Sequence, residues 1–327
     1  MKTIILIIAA ALSAASAFAQ AGRSETILKE WEFRKGHDIE ATEGWEAVSV
    51  PHDWAIYGPF DKANDLQTVA VVQNGEDVAT EKTGRTGGLP YMGKGAYRRT
   101  LDIKADELDG RRHILMFDGA MSEAQVFVNG EKVCFWPYGY NSFHCDVTGL
   151  LKEGGNDIAV LLENREQSSR WYPGAGLYRK VRHITQPQVH VPVWGTYVTT
   201  PHIEKDHAVV SVRTKIEGVE KGSAVTLKTR ILDPDGHAVA CVTDTRLLHF
   251  GEIEQTLTVE NPTLWSPEDP VMYFVETEVY AGGSVNTDWN MDRPEISIAD
   301  GTVPCDKVST RFGFRTIEII PDKGFFL

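Results

Sequence analysis

The sequence predicts an all-β chain made of two sandwiches, one following the other. Three observations predict it. Short runs of β-branched and aromatic residues alternate with polar ones at period two. Turn signals separate the runs, among them Asn129-Gly130 and Asp233-Pro234-Asp235-Gly236. No helical pattern of about ten residues or more interrupts the first half.

The chain opens with Lys2, an apolar run over 4–11, and small residues ending in Ala17-Phe18-Ala19. A charged start, an apolar stretch too short to span a bilayer and an A-x-A pattern predict a secretory signal over 1–19. Secretion or export to a periplasm is therefore expected. Residues 20–30 read as a mobile lead-in. Strands are expected at 31–33 and 45–50, the second running into Pro51. His52-Asp53-Trp54 follows at a turn. Adjacent residues rarely point into one site, so Asp53 is read as a cap for backbone donors and Trp54 as core filler. The polar, glycine-rich stretch 61–95 reads as a long loop with one short strand at 68–72. Gly84 to Gly88 is no phosphate loop, because no Gly-Lys-Ser/Thr follows. Strands then come quickly, at 97–103, 112–117, 124–128, 132–136, 143–147 and 157–162. Many short strands with turns between them predict a jelly-roll-like sandwich over 25–186.

Thr185-Gln186-Pro187 marks a boundary, and Pro187 and Pro192 break the ladder. New strands are expected at 189–194, 208–217, 224–232, 237–243, 251–259 and 272–280. About seven short strands match an immunoglobulin-like sandwich, placed at 188–315. Residues 282–307 are poorly patterned and polar. A strand-like run occupies 311–320, and 316–327 reads as a stub ending in Phe325, Phe326 and Leu327.

Composition sets bounds. The net charge of −13 argues against nucleic acid, whose phosphates it would repel. Beyond the leader no segment is apolar and long enough to span a membrane. The 4 cysteines are too few for a disulfide scaffold. Cys134 and Cys145 flank a strand–turn–strand and are candidates to pair in an oxidising compartment, while Cys241 and Cys305 are distant. The histidines are scattered and no Cys-x-x-Cys or His-Glu-x-x-His occurs, so no metal site and no cofactor are expected.

The stretch 164–179 is the candidate functional feature. It carries Trp171 and Tyr172, then Pro173, Gly174 and Gly176, so its backbone can hold a tight, specified shape. Two readings are open. One is a packed loop corner of a sandwich. The other is a sugar-facing loop, with aromatic faces against a pyranose and Arg170 bonding hydroxyls.

Ser168-Ser169-Arg170-Trp171-Tyr172-Pro173-Gly174-Ala175-Gly176-Leu177-Tyr178-Arg179 resembles the end of the sugar-binding domain of glycoside hydrolase family 2, the β-galactosidase family. Four further stretches resemble it in the same order: Val50-Pro51-His52-Asp53-Trp54, Phe127-Val128-Asn129-Gly130, Gly139-Tyr140-Asn141-Ser142-Phe143 and Phe312-Gly313-Phe314-Arg315. The resemblance covers the chain behind the leader.

It implies a retaining glycosidase acting on terminal β-galactosides, with β-glucuronides or β-mannosides as the alternative substrates. It also implies that Arg170 and Trp171 reach the sugar site, with Asn164 and Tyr172 behind them. Some β-galactosidases carry an aspartate near the Arg170 position, and this chain departs from them there. In the family the two catalytic glutamates lie on a (β/α)₈ barrel, the acid/base one in an Asn-Glu pair, which this sequence lacks. The expected partners are a carbohydrate and the chain's own barrel, and this part alone is expected to be inactive. The rival expectation is a stand-alone secreted carbohydrate-binding or cell-surface interaction protein.

Overall fold

The computed structural model describes residues 22–56, 58, 60–61, 68–72, 75, 77–83, 91–165, 173–248, 251–281, 298 and 302–326. The chain is all-β, and it divides into a unit over 25–185 and a second unit that takes in 186–327 and the first 24 residues.

The strands of the first part are β1 (Ser24–Ile27), β2 (Glu30–Lys35), β3 (Glu46–Ser49), β4 (Thr68–Val71), β5 (Thr80–Thr83), β6 (Gly93–Ile103), β7 (Arg111–Phe117), β8 (Ala124–Val128), β9 (Glu131–Trp136), β10 (Phe143–Asp146), β11 (Gly154–Asn164) and β12 (Val181–Pro187). Among the described residues, helix is confined to α1 (Ala105–Leu108) and a 3₁₀ turn at Thr148–Leu150. A six-stranded sheet runs β3-β2-β6-β11-β8-β9 and a four-stranded sheet runs β1-β12-β7-β10. Alternation explains the packing: Trp31 and Phe33 on β2 point inward at 3% and 1% exposure while Glu30 and Glu32 face water. Their rings join Tyr97, Trp54, Phe117, Phe143 and Leu177 in one core.

Three local devices fix this unit. Asn129 and Gly130 close the β8–β9 hairpin with φ of 50° and 84°, as the two-residue turn requires. The Asn129 amide also donates to Leu150 O and Asn156 Oδ1, and its Oδ1 accepts from Asp157 N. Cys134 on β9 is bonded to Cys145 on β10, so the disulfide joins one sheet to the other.

The lead-in departs from expectation. Ser24–Ile27 forms an edge strand, and Arg23 is anchored to the fully buried Asp306 carboxylate through Nε at 2.9 Å and Nη2 at 2.8 Å. That carboxylate also accepts from Val191 N and Lys307 N. The β1 side chains are exposed, so no apolar alternation marked the strand. In the long loop β4 pairs with β5, a second strand that Thr-Glu-Lys-Thr conceals because an isolated ribbon needs no apolar face.

The second unit contains β13 (Thr196–Ile203), β14 (His207–Lys215), β15 (Ala224–Leu232), β16 (Ala238–Leu247), β17 (Glu252–Glu260), β18 (Tyr273–Ala281) and β19 (Asp306–Phe312), followed by β20 (Glu318–Ile320) and β21 (Gly324–Phe326). Sheets β13-β14-β17 and β16-β15-β18-β19 are the two layers of an immunoglobulin-like sandwich. Val210, Val212, Ile231, Val275 and Phe314 lie in its core.

Two strand assignments are corrected. Residues 189–194 form no strand: Pro192 lacks a donor, Trp194 takes a left-handed φ of 58°, and one bridge joins His190 to Glu217. The strand starts at Thr196 and tolerates Pro201 because it is an edge strand with a shift between Thr199 and His202. The run 311–320 is broken, with β19 ending at Phe312 and Phe314 turning into the core. No helix among the described residues is long and apolar enough to cross a membrane.

Candidate functional site

The candidate site is the loop end of the first unit. Asn164 is the last residue of β11 and is 1% exposed. Its Nδ2 donates to Gly174 O at 2.9 Å and approaches Met92 Sδ at 3.6 Å. A buried side-chain amide is thus tied to the far side of the 164–179 loop, a positioning role. Arg170, Trp171 and Tyr172 lie outside the described residues.

The loop's return is built with little freedom. Gly176 has φ of +88°, and a Cβ there would lie 2.2 Å from Tyr97 Oη and 2.9 Å from His52 O. Gly176 and Met121 exchange both backbone hydrogen bonds, each at 3.0 Å. Beneath them His52 N donates to Leu177 O at 2.8 Å, and His52 Nδ1 shares a 2.8 Å hydrogen bond with Tyr97 Oη. Burial lowers the His52 pKa, against the carboxylates of Glu46 and Asp53. Asp53 Oδ1 accepts from Ala55 N, and Trp54 stacks on Phe33 at 5.5 Å, as their sequence roles predicted. The Val-Pro-His-Asp-Trp stretch therefore supports the loop from below.

Sequence reasoning assigned no role to Tyr138, Tyr140, Tyr178 and Arg179, which the structure brings to the same end. Tyr178 Oη donates to Gly139 O at 2.9 Å. A Cβ on Gly139 would lie 2.2 Å from Met121 Sδ, so glycine lets this turn sit flat on the loop. The turn presents Tyr138 and Tyr140 to solvent at 54% and 40%, their ring centroids 5.5 Å apart. Burial pushes the Tyr178 hydroxyl up, opposed by Arg179 and aided by the two neighbouring phenols, so it stays a neutral donor. The signal was present: a turn residue with an aromatic on each side needs a reason to expose both.

This arrangement can present aromatic faces, phenols and a guanidinium to a polyhydroxylated ligand. Among the described residues, the carboxyl groups with displaced pKa values, Asp146, Asp206 and Asp233, all move down, whereas a general acid needs one held up. Among the described residues, one group of potential metal ligands gathers within 4.8 Å: Asp233, Asp235 and His237. It lies in the β15–β16 turn, where Asp233 Oδ1 accepts from the amides of Asp235 and His237.

Residues 16–187 match the model of glycosyl hydrolases family 2, sugar binding domain, and residues 189–292 match that of glycosyl hydrolases family 2. The chain belongs to glycosyl hydrolases family 2. Among this family's members, it is 32% identical over 311 residues to beta-galactosidase BoGH2A of Bacteroides ovatus, covering 91% of this chain and 32% of the relative. It is 33% identical over 284 residues to a putative beta-glucuronidase of Formosa agariphila, covering 86% of this chain and 24% of that one. A solved structure of a family 2 member from Bacteroides cellulosilyticus superposes with a TM-score of 0.72 at 28% identity, covering 92% of this chain and 36% of that chain. The family 2 chain described here thus spans about a third or less of the length of these relatives.

Proposed function

We propose that this chain is the sugar-binding and immunoglobulin-like part of a secreted retaining glycosidase that removes terminal β-galactosides. The observation that carries the reading is the 164–179 loop, held at both ends by the Asn164–Gly174 hydrogen bond and the packing of Gly176. The reading gives Arg170 and Trp171 the contacts to substrate, with Asn164 and Tyr172 supporting them. Its resemblance to β-galactosidases and the similarity to the Bacteroides ovatus relative favour a galactoside.

Retention needs two carboxyl groups about 5 Å apart. The reading assigns both to a (β/α)₈ barrel, the partner of these two sandwiches, and gives this part the task of shaping one wall of the sugar pocket. The leader over 1–19 directs export. Amino-terminal sequencing of the exported protein should find the cut after Ala19.

A second reading has its own support: the Formosa agariphila relative is named a putative beta-glucuronidase. One experiment separates them. The protein produced with its barrel is assayed on aryl β-galactoside and aryl β-glucuronide, and Arg170→Ala and Trp171→Ala are compared with it. The expected outcome is preference for the galactoside and a fall in kcat/KM of about 10- to 100-fold in each variant, or about 1.4–2.7 kcal/mol. A preference for the glucuronide replaces the substrate. Unchanged kcat/KM in both variants removes the loop from the site.

A further inference from the structure

The outer face of the six-stranded sheet carries a groove of about 400 Å³. Such a volume lies within the range of about 300–1,000 Å³ that small-ligand sites occupy. The ladder explains its shape. Glu32 on β2, Arg98 on β6, Ala159 on β11 and Phe127 on β8 are successive partners across the sheet. Ala159 is the small member of this row, so the floor drops between Arg98 and Phe127. Those two stand two strand spacings apart, about 10 Å. Thr100 and Asp157 form the next row, hydrogen-bonded to each other at 3.3 Å.

The walls are fixed in advance. Arg98 Cζ lies 4.1 Å above the Trp45 ring, and its Nε donates to Glu32 at 2.6 Å. The Trp45 indole donates to Ala41 O at 2.7 Å. An arginine stacked on one side and bonded on another keeps its other N–H groups oriented toward a ligand.

The groups exposed in this groove select a chemistry. Glu32, Glu40 and Asp157 accept hydrogen bonds, Arg98 donates, and Thr100 does both. A ligand matching all of them must donate and accept along its length, as hydroxyl groups do. Phe127 offers an apolar ring for the C–H face of a pyranose. Three carboxylates against the Arg98 guanidinium oppose uronates, phosphates and sulfates. We infer that this groove is a second carbohydrate site, separate from the loop end, which binds a neutral glycan chain across β6, β11 and β8. The inference stands on the chemistry of the groove and does not depend on which glycoside is cleaved.

Affinity electrophoresis of the 327-residue chain tests it, in gels carrying β-1,4-galactan, galactomannan, xyloglucan or polygalacturonate. Retardation by at least one neutral glycan and none by polygalacturonate is expected. Ala159→Trp fills the floor and should weaken that retardation at least tenfold. Phe127→Ala and Asp157→Asn, both at the sheet surface, should weaken it too while leaving far-ultraviolet dichroism and Tm unchanged. Tyr140→Ala, at the loop end, should leave it unchanged, so failure here is distinct from failure of the glycosidase reading. The inference is overturned by no retardation in any neutral gel, by stronger retardation in polygalacturonate, or by groove variants that bind as the parent does. Loss of binding in Tyr140→Ala alone would likewise overturn it and place the glycan at the loop end.

Discussion

Gly176 shows how one position decides the candidate site. Its backbone is left-handed and its missing side chain is the space in which Tyr97 and His52 meet the loop. Gly176→Ala should lower stability by at least about 2 kcal/mol through strain and collision together, read as a lower midpoint in urea. A second residue-scale feature is the buried His113–His183 pair. His113 Nε2 must donate to Glu107 O, which only accepts, so His113 Nδ1 accepts from His183 Nε2–H at 2.9 Å. Burial, then the neighbouring His113 and Arg99, lower the His183 pKa to about 4, against Glu107. Burial lowers His113 too, with Arg111 adding to it and Glu107 and Asp146 opposing. Both folded values lie below the unfolded one, so the unfolded chain takes up protons first on acidification. The contribution is complete above about pH 6.5 and is lost progressively as pH falls toward about 4. For His183 the shift corresponds to about 3 kcal/mol. Thermal melts from pH 7.5 to 4 should show a Tm that falls in that window, and His183→Gln should flatten the fall.

At the scale of elements, the hairpins were legible and the ribbons were not. Asn129-Gly130 and Asp233-Pro234-Asp235-Gly236 name their turns, because few residues tolerate the backbone angles those turns need. The period-two runs around them place the core strands within a few residues. β1, β5 and β13 escaped because each is an edge or ribbon strand, and neither Ser-Glu-Thr-Ile nor Thr-Glu-Lys-Thr alternates apolar with polar residues. The pairing of Cys134 with Cys145 was one of the options open in the sequence, and the structure supplies the reason for it. β9 and β10 belong to different sheets and face each other across the sandwich. Reduction, or Cys134→Ser with Cys145→Ser, should cost about 2–3 kcal/mol, measured as a shift in denaturation midpoint with and without reductant. The β20–β21 hairpin carries the opposite liability. Ile319 and Phe325 face each other across it at 76% and 60% exposure, with Phe326 at 45%. Such a patch favours association. The chain on its own should elute in concentration-dependent oligomers from a sizing column, and Ile319→Glu with Phe325→Glu should return it toward monomer.

On the scale of the whole molecule, the sequence disclosed the family and the two sandwich types. The five family stretches are turn, loop and core pieces whose shapes depend on glycine, proline and aromatic residues, and such pieces are recognisable one by one. The site was less legible. Asn164 could be placed beside the loop by its position at the end of a strand, but its burial and its bond to Gly174 depend on contacts across the fold. Tyr138 and Tyr140 lay inside a recognised stretch, yet their exposure became evident only once Gly139 was seen packed on Met121. The Arg98 groove was invisible for a related reason, because its row is assembled from four strands far apart in the chain. The anchoring of Arg23 on Asp306 also bears on how the molecule is made. The expected cut after Ala19 lies a few residues before that anchor. A protease needs several residues of extended, accessible chain on either side of its scissile bond, so if a leader is cut there, the cut would have to come before Arg23 is seated on Asp306.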